Sequence, residues 1–211
     1  MHRHTALSRA AAAGNARAQY AYGITLLITE EGKINRPEKA YPWLLAAAKQ
    51  GLPNAQALVA LCLHRGWGVE PDEKAAVEWY RKAILRGQSG AAMQLAAHPA
   101  AGASSKDVAE WLETALSQGR GTSSARLALA SLYLSNKEYK KAVQQLRFAA
   151  LEGNAEAAYL MAKCYEEGTG VPKDANLMRG WLQNAADMGH APAAERLRAA
   201  DAPKAKSTPR S

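Results

Sequence analysis

The sequence predicts an all-α fold, a right-handed solenoid of stacked helix–turn–helix repeats. Three observations predict it. Six Ala-x-x-x-Gly segments recur along the 211 residues, at 10–14, 47–51, 83–87, 115–119, 149–153 and 185–189. The steps between successive closing glycines are 37, 36, 32, 34 and 36 residues. A near-constant period of this length marks small helical units that stack on their neighbours, not a closed globule around one core. Second, Trp43, Trp79, Trp111 and Trp181 each stand eight residues before a closing glycine. Third, 48% of the residues are apolar, alanine leads that share, and there is a single Phe. Such a composition suits helices packed closely through small side chains.

The elements follow in order. Residues 1–13 are expected to form a capping helix, a lone second helix over His4–Ala13 that covers the open end. Residues 14–200 read as about five repeats with a capping helix at 190–200. Residues 201–211 have no periodicity and are expected to be disordered. Each first helix carries an alanine four residues after the preceding glycine: Ala18, Ala55, Ala91, Ala157 and Ala193. The fourth unit has two extra residues, Arg120 and Gly121, so its match is Ala125. In each second helix the Trp and the Ala four residues on share a face. These rings are expected to pack between layers. Gln145 holds the Trp position in the fourth unit, where Leu146 and Phe148 are expected to supply the bulk. Pro42 lies inside a second helix and is expected to kink it near Glu38.

The turns repeat as well. Gly66-Trp67-Gly68-Val69-Glu70-Pro71-Asp72 matches Gly168-Thr169-Gly170-Val171-Pro172-Lys173-Asp174. The first Gly suits a left-handed helix stop, the Val is expected in the core, and the Asp is placed to cap the next helix. The first unit has Glu30-Glu31-Gly32-Lys33-Ile34-Asn35 at this place. The third has His98-Pro99-Ala100-Ala101-Gly102, so its first helix is expected to be short. The fourth has the tight turn Ser135-Asn136-Lys137.

Together, Gly-x-Gly-Val-x-x-Asp, the Ala-x-x-Trp that follows it and the closing Ala-x-x-x-Gly resemble the Sel1-like repeat family, longer-turn relatives of tetratricopeptide repeats. The resemblance spans roughly 14–200 and is fullest at 51–87 and 153–189. It implies a non-enzymatic binding module, an adaptor, scaffold or regulator with one or more proteins as partners. It also implies a concave face lined by the first helices. By that analogy Arg17, Asn54, His64, Arg65, Gln94, Ser131, Lys163, Glu166 and Glu167 are the candidate partner-binding residues.

The residues themselves offer little other chemistry. No His lies in a His-Glu-x-x-His frame and no cysteines form Cys-x-x-Cys, so no metal site is expected. Glu30-Glu31 and Glu166-Glu167 are adjacent pairs, which diverge on a helix and do not suit acid/base work. No nucleophile elbow, Walker loop or nucleotide fingerprint is present, so no catalytic residue or cofactor is expected. Cys62 and Cys164 occupy equivalent repeat positions and read as small buried hydrophobes. His64 and Arg65 are expected to face the C-terminal dipole of a first helix. Net charge is +8, with 12 basic against 7 acidic residues in 1–100 and 12 against 11 in 101–200. Without a dense Lys/Arg stripe, binding of nucleic acid or another acidic partner through the basic ends is the weaker alternative, as is a role as subunit of an enzyme complex. No apolar run reaches the roughly 20 residues that span a bilayer, and a cytoplasmic location is expected.

Overall fold

A computed structural model describes residues 2–29, 31–97 and 102–201 of the chain. Among them are twelve helices, no strand, and one isolated antiparallel bridge between Ile28 and Ile34. The chain divides into two units, residues 1–132 and 133–211, with the boundary inside one helix. The first unit contains α1 (His2–Ala12), α2 (Ala16–Leu27), α3 (Pro37–Lys49), α4 (Pro53–Arg65), α5 (Glu73–Leu85), α6 (Ser89–Ala97), α7 (Ser105–Ser117) and most of α8 (Ser123–Ser135). The second contains the end of α8, then α9 (Tyr139–Leu151), α10 (Ala155–Glu167), α11 (Ala175–Asp187) and α12 (Ala191–Asp201). Within each unit a helix packs chiefly against its neighbours in sequence, as in a repeat stack.

The Ala-x-x-x-Gly signature is a helix stop with a defined hydrogen-bond pattern. Each closing glycine sits in the left-handed region, with φ between 68° and 90°. The N–H of the residue after it donates back to the carbonyl of the signature alanine, as Leu52 does to Ala47 (3.3 Å), Gln88 to Ala83 (2.9 Å) and His190 to Ala185 (3.0 Å). That is the pairing of a Schellman motif. Alanine recurs because its side chain is buried: Ala47, Ala83, Ala149 and Ala185 have no exposed surface. The first-helix alanines Ala18, Ala55, Ala91, Ala125, Ala157 and Ala193 are buried as well. The N-caps at Asp72 and Asp174 follow the sequence reading, and the structure adds one at Asn154. Asp72 accepts from the N–H of Ala75, Asn154 from that of Ala157, and Asp174 from those of Asn176 and Leu177, each at 2.9 Å.

The tryptophans correct one expectation. Trp43, Trp79, Trp111 and Trp181 are half-buried, not sealed between layers. The residue after each is the buried one: Leu44, Tyr80, Leu112 and Leu182, with Leu146 in the fourth unit. A helical residue turns about 100° from its neighbour, so Trp stands at the edge of the stripe whose centre its successor shares with the alanine. Trp43 meets Tyr22 edge-on at 5.4 Å, and the Lys82 ammonium lies 4.4 Å from the Trp79 ring. Phe148 is 45% exposed and supplies no core bulk; Leu146 alone does. Val69 and Val171 are half-buried and do not enter the core.

Helix α3 runs unbroken through Pro42, so the expected kink does not end the helix. The turn of the first unit is a small hairpin, in which Asn35 N–H donates to the Leu27 carbonyl (2.9 Å) and Thr29 N–H to that of Lys33 (2.8 Å). Helix α6 is described over 9 residues, up to Ala97. The expectations for residues 98–101 and for the tail at 202–211 lie outside the described residues. Lys137 turns the fourth unit with φ 62°, a conformation that costs an L residue about 1–2 kcal/mol. Lys137→Gly is therefore expected to stabilise the protein by about 1 kcal/mol, less the entropy glycine adds to the unfolded chain. A rise in urea midpoint at constant m-value checks it.

Candidate functional site

The face carrying the nominated side chains is built by the first helices, and its geometry is distinct in the two units. In the 1–132 unit, Asn54 and Gln94 line one cavity of about 240 Å³, together with Tyr20, Leu58, Leu61 and Gln88. Gln88 Nε2 donates to Asn54 Oδ1 at 2.6 Å, and Gln88 Oε1 accepts from the Gly90 N–H at 3.0 Å. A second recess of about 320 Å³ shares Asn54 and Gln88 and is walled by Pro53 and Arg86. Arg17 is exposed on α2, while His64 and Arg65 stand in the last turn of α4 where the helix dipole favours cations. These three do not line the cavity. Ser131 donates to the Leu127 carbonyl of its own helix (3.0 Å).

In the 133–211 unit the same offsets carry charge. His190 Nε2 lies 2.9 Å from Glu156 Oε2, and its Nδ1 accepts from the Ala193 N–H at 3.2 Å. The imidazole stacks on Tyr159 with ring centres 4.5 Å apart. Arg196 donates to Glu166 at 2.7 Å and sits over the Tyr159 ring at 5.8 Å. The hydrogen bond that Arg196 donates to Glu166 raises its already high pKa, so the guanidinium stays charged. Glu167 accepts from the Thr169 hydroxyl at 3.4 Å, and Lys163 is half-buried.

Asn54–Gln88 and Glu156–His190 are the same pair in repeat terms. Each joins the third residue after one closing glycine to the first residue after the next. Sequence reasoning found Asn54 but missed Gln88, Glu156, His190 and Tyr159. The signal was present as polar residues 34 apart at matching offsets, but it is visible only once neighbouring first helices are known to lie side by side. A buried amide pattern accompanies the site. Gln19 and Gln56 donate to the carbonyls of Ala11 and Ala48, each at 3.2 Å. Gln50 completes the first of these by donating to Gln19 (2.7 Å), whereas Arg86 occupies the equivalent place in the next repeat.

Cys62 and Cys164 are buried and form no disulfide. Burial pushes the Cys62 thiol up to about 12, and burial is also the leading cause that raises Cys164. A thiol in that state is neither a nucleophile nor a ready metal ligand. Both are expected to resist a thiol-specific chromophoric reagent in the folded protein at pH 8 and to react together on denaturation. Fast reaction of either in native buffer contradicts the burial. Among the described residues no three or more His, Cys, Asp and Glu side chains cluster as a metal site would require, and no helix is long and apolar enough to cross a membrane.

The Sel1 repeat model matches residues 16–52, 53–88 and 155–190, more than half of the chain. The chain belongs to the Sel1 repeat family. Its matched repeats flank the third and fourth repeats, which lack the turn signature. A model of the anaphase-promoting complex, cyclosome, subunit 3 matches residues 105–168 within that interval and beyond. Among relatives, DAP3-binding cell death enhancer 1 of Rattus norvegicus is 30% identical over 184 residues, 84% of this chain and 36% of its own length. Chitin synthase regulatory factor 3 of Schizosaccharomyces pombe is 30% identical over 142 residues, 62% of this chain and 15% of its own. The chain thus spans only a minor part of these relatives. A Sel1 repeat protein from Oxalobacter formigenes superposes with a TM-score of 0.61 at 27% identity, covering 87% of this chain and 75% of that one. The uropathogenic Escherichia coli antigen c5321 gives 0.65 at 24% identity, covering 92% and 43%. The fold class is the helical-repeat solenoid of those Sel1 structures.

Proposed function

We propose that this Sel1 repeat chain is a non-enzymatic protein-binding module, an adaptor or regulator that holds its partner on the first-helix faces of residues 14–200. One observation carries the reading. Each unit presents a cross-repeat polar pair at the same offset, Asn54–Gln88 and Glu156–His190, on exposed surface and beside unpaired or half-buried apolar and aromatic groups. Polar pairs of changing character at a constant repeat offset suit recognition of a partner, and the groups of each pair do not converge on a reacting atom. Sel1-type repeats generally mediate protein–protein contact, and the names of the two relatives describe a binding protein and a regulatory factor. The contact residues in this reading are Arg17, Asn54, His64, Arg65, Gln94, Ser131, Lys163, Glu166 and Glu167. The unpaired, buried thiols suit a reducing compartment, which supports a cytoplasmic location.

Affinity capture from the native cell tests it. A variant with Asn54→Ala and Gln94→Ala, and another with Lys163→Ala and Glu167→Ala, are run beside the unaltered chain. Loss of the captured proteins by at least one variant, with circular dichroism unchanged, is the expected result. Partners retained by both variants place the binding surface elsewhere.

A further inference from the structure

The charges of the 1–132 unit are segregated by helix type. Its first helices α2, α4, α6 and α8 carry Arg17, Arg65, Arg126 and His64, and no Asp or Glu. The acidic residues described in that unit all lie on α3, α5 and α7 or in turns, among them Glu38, Glu78 and Glu113. In the 133–211 unit the first helices are mixed, with Glu156, Glu166, Glu167 and Glu195 on α10 and α12, and Glu166 already held by Arg196. Among the described residues of the 1–132 unit, the first helices therefore carry no negative charge. The apolar cavity lies among these helices, and the recess sharing Asn54 and Gln88 with it ends at the exposed Arg86.

We infer that the first-helix face of residues 1–132 docks an extended acidic peptide segment, which seats one bulky apolar side chain against Tyr20, Leu58 and Leu61 beside a carboxylate facing Arg86. The inference rests on the protein-binding reading and names the chemistry of the partner. Three features favour this occupant. First helices that carry no Asp or Glu, with the exposed Arg17 on α2 and the exposed Arg86 at the end of the recess, attract an acidic chain and repel a basic one, which sets encounter rate and specificity. The amides of Asn54, Gln88 and Gln94 offer donors and acceptors together, the complement of a peptide backbone whatever its side chains. The lining by two leucines and a tyrosine is of side-chain size and apolar, which suits a Leu or Phe and not a phosphate. Arginines scattered one to a helix are too sparse to follow the regular phosphates of a nucleic acid, which call for clustered cations.

The test uses the whole chain and fluorescein-labelled nine-residue peptide pools read by anisotropy. One pool has a central Leu flanked by Asp and Glu, one the same centre flanked by Lys and Arg, and one a central Ser with acidic flanks. A twenty-nucleotide oligo-dT is the fourth probe. The acidic, Leu-centred pool is expected to bind about ten-fold or more tightly than the other three, and to lose that margin in the Arg17→Glu, Arg86→Glu double variant, whose fold is verified by circular dichroism. Equal binding of the basic pool removes the charge argument. Equal binding of the Ser-centred pool removes the pocket, and tighter binding of oligo-dT replaces the peptide with a nucleic acid. Any of these overturns the inference. If they do so while the captured proteins are still lost from the Asn54 and Gln94 variant, the protein-binding reading stands without it. If capture is indifferent to both first-helix variants, it is that reading which fails.

Discussion

Gly68→Ala is expected to destabilise the protein by about 3–5 kcal/mol. Two costs combine. Gly68 has φ 72°, where an L residue pays about 1–2 kcal/mol. A Cβ there would also lie 2.1 Å from the Pro37 carbonyl oxygen and 2.7 Å from the Glu38 nitrogen, both backbone atoms at the start of α3. Backbone at a helix start cannot swing aside as a side-chain end can, so the turn must lift off the preceding repeat. Gly170 repeats the arrangement on Tyr139, with a Cβ 2.6 Å from its carbonyl oxygen, and Gly170→Ala is expected to cost nearly as much. Gly14→Ala is the control: φ is 90° but nothing lies within 4 Å, so only the backbone cost of about 1–2 kcal/mol remains. Denaturant unfolding of the three variants checks the order. Equal losses at Gly14 and Gly68 refute the close approach.

The second large effect separates the core from its rim. Leu146→Ala is expected to cost about 3–4 kcal/mol, because the side chain is fully buried on α9, which packs against α10. Gln145→Ala, at the Trp position of the same helix, and Phe148→Ala, 45% exposed, are each expected to cost about 1 kcal/mol or less. The same ordering holds in α11, where Leu182→Ala exceeds Trp181→Ala per atom removed, since Leu182 is only 4% exposed and the Trp is half-buried. Thermal unfolding of the variants checks it. A larger loss at Phe148 than at Leu146 would restore the expectation that Phe148 fills the fourth unit.

Part of the candidate site was legible by resemblance. The groove-facing offsets of related repeats nominated Asn54 and Gln94, and both line the cavity. Such offsets carry from repeat to repeat because a helix start fixes the direction of each later side chain. Arg196 and Tyr159 were not found this way. Their contact with Glu166 and His190 joins residues about one repeat apart, and which rotamer meets which depends on how adjacent helices are set against each other.

By itself the sequence determined the helices, their stops, the aspartate caps and the repeat family. Each of these is decided within a few residues: a left-handed glycine, an Asp accepting an N–H, an alanine too small to hold layers apart. Only the tertiary structure decided that the residue after Trp carries the core. It also decided that Gly68 and Gly170 are needed for contact with a preceding helix start as well as for their turns. And it alone brought Asn54 to Gln88 and Glu156 to His190. The physical reason is the same throughout: hydrogen-bond closure of a helix end is local, whereas burial and pairing depend on the angle and distance at which the next repeat packs.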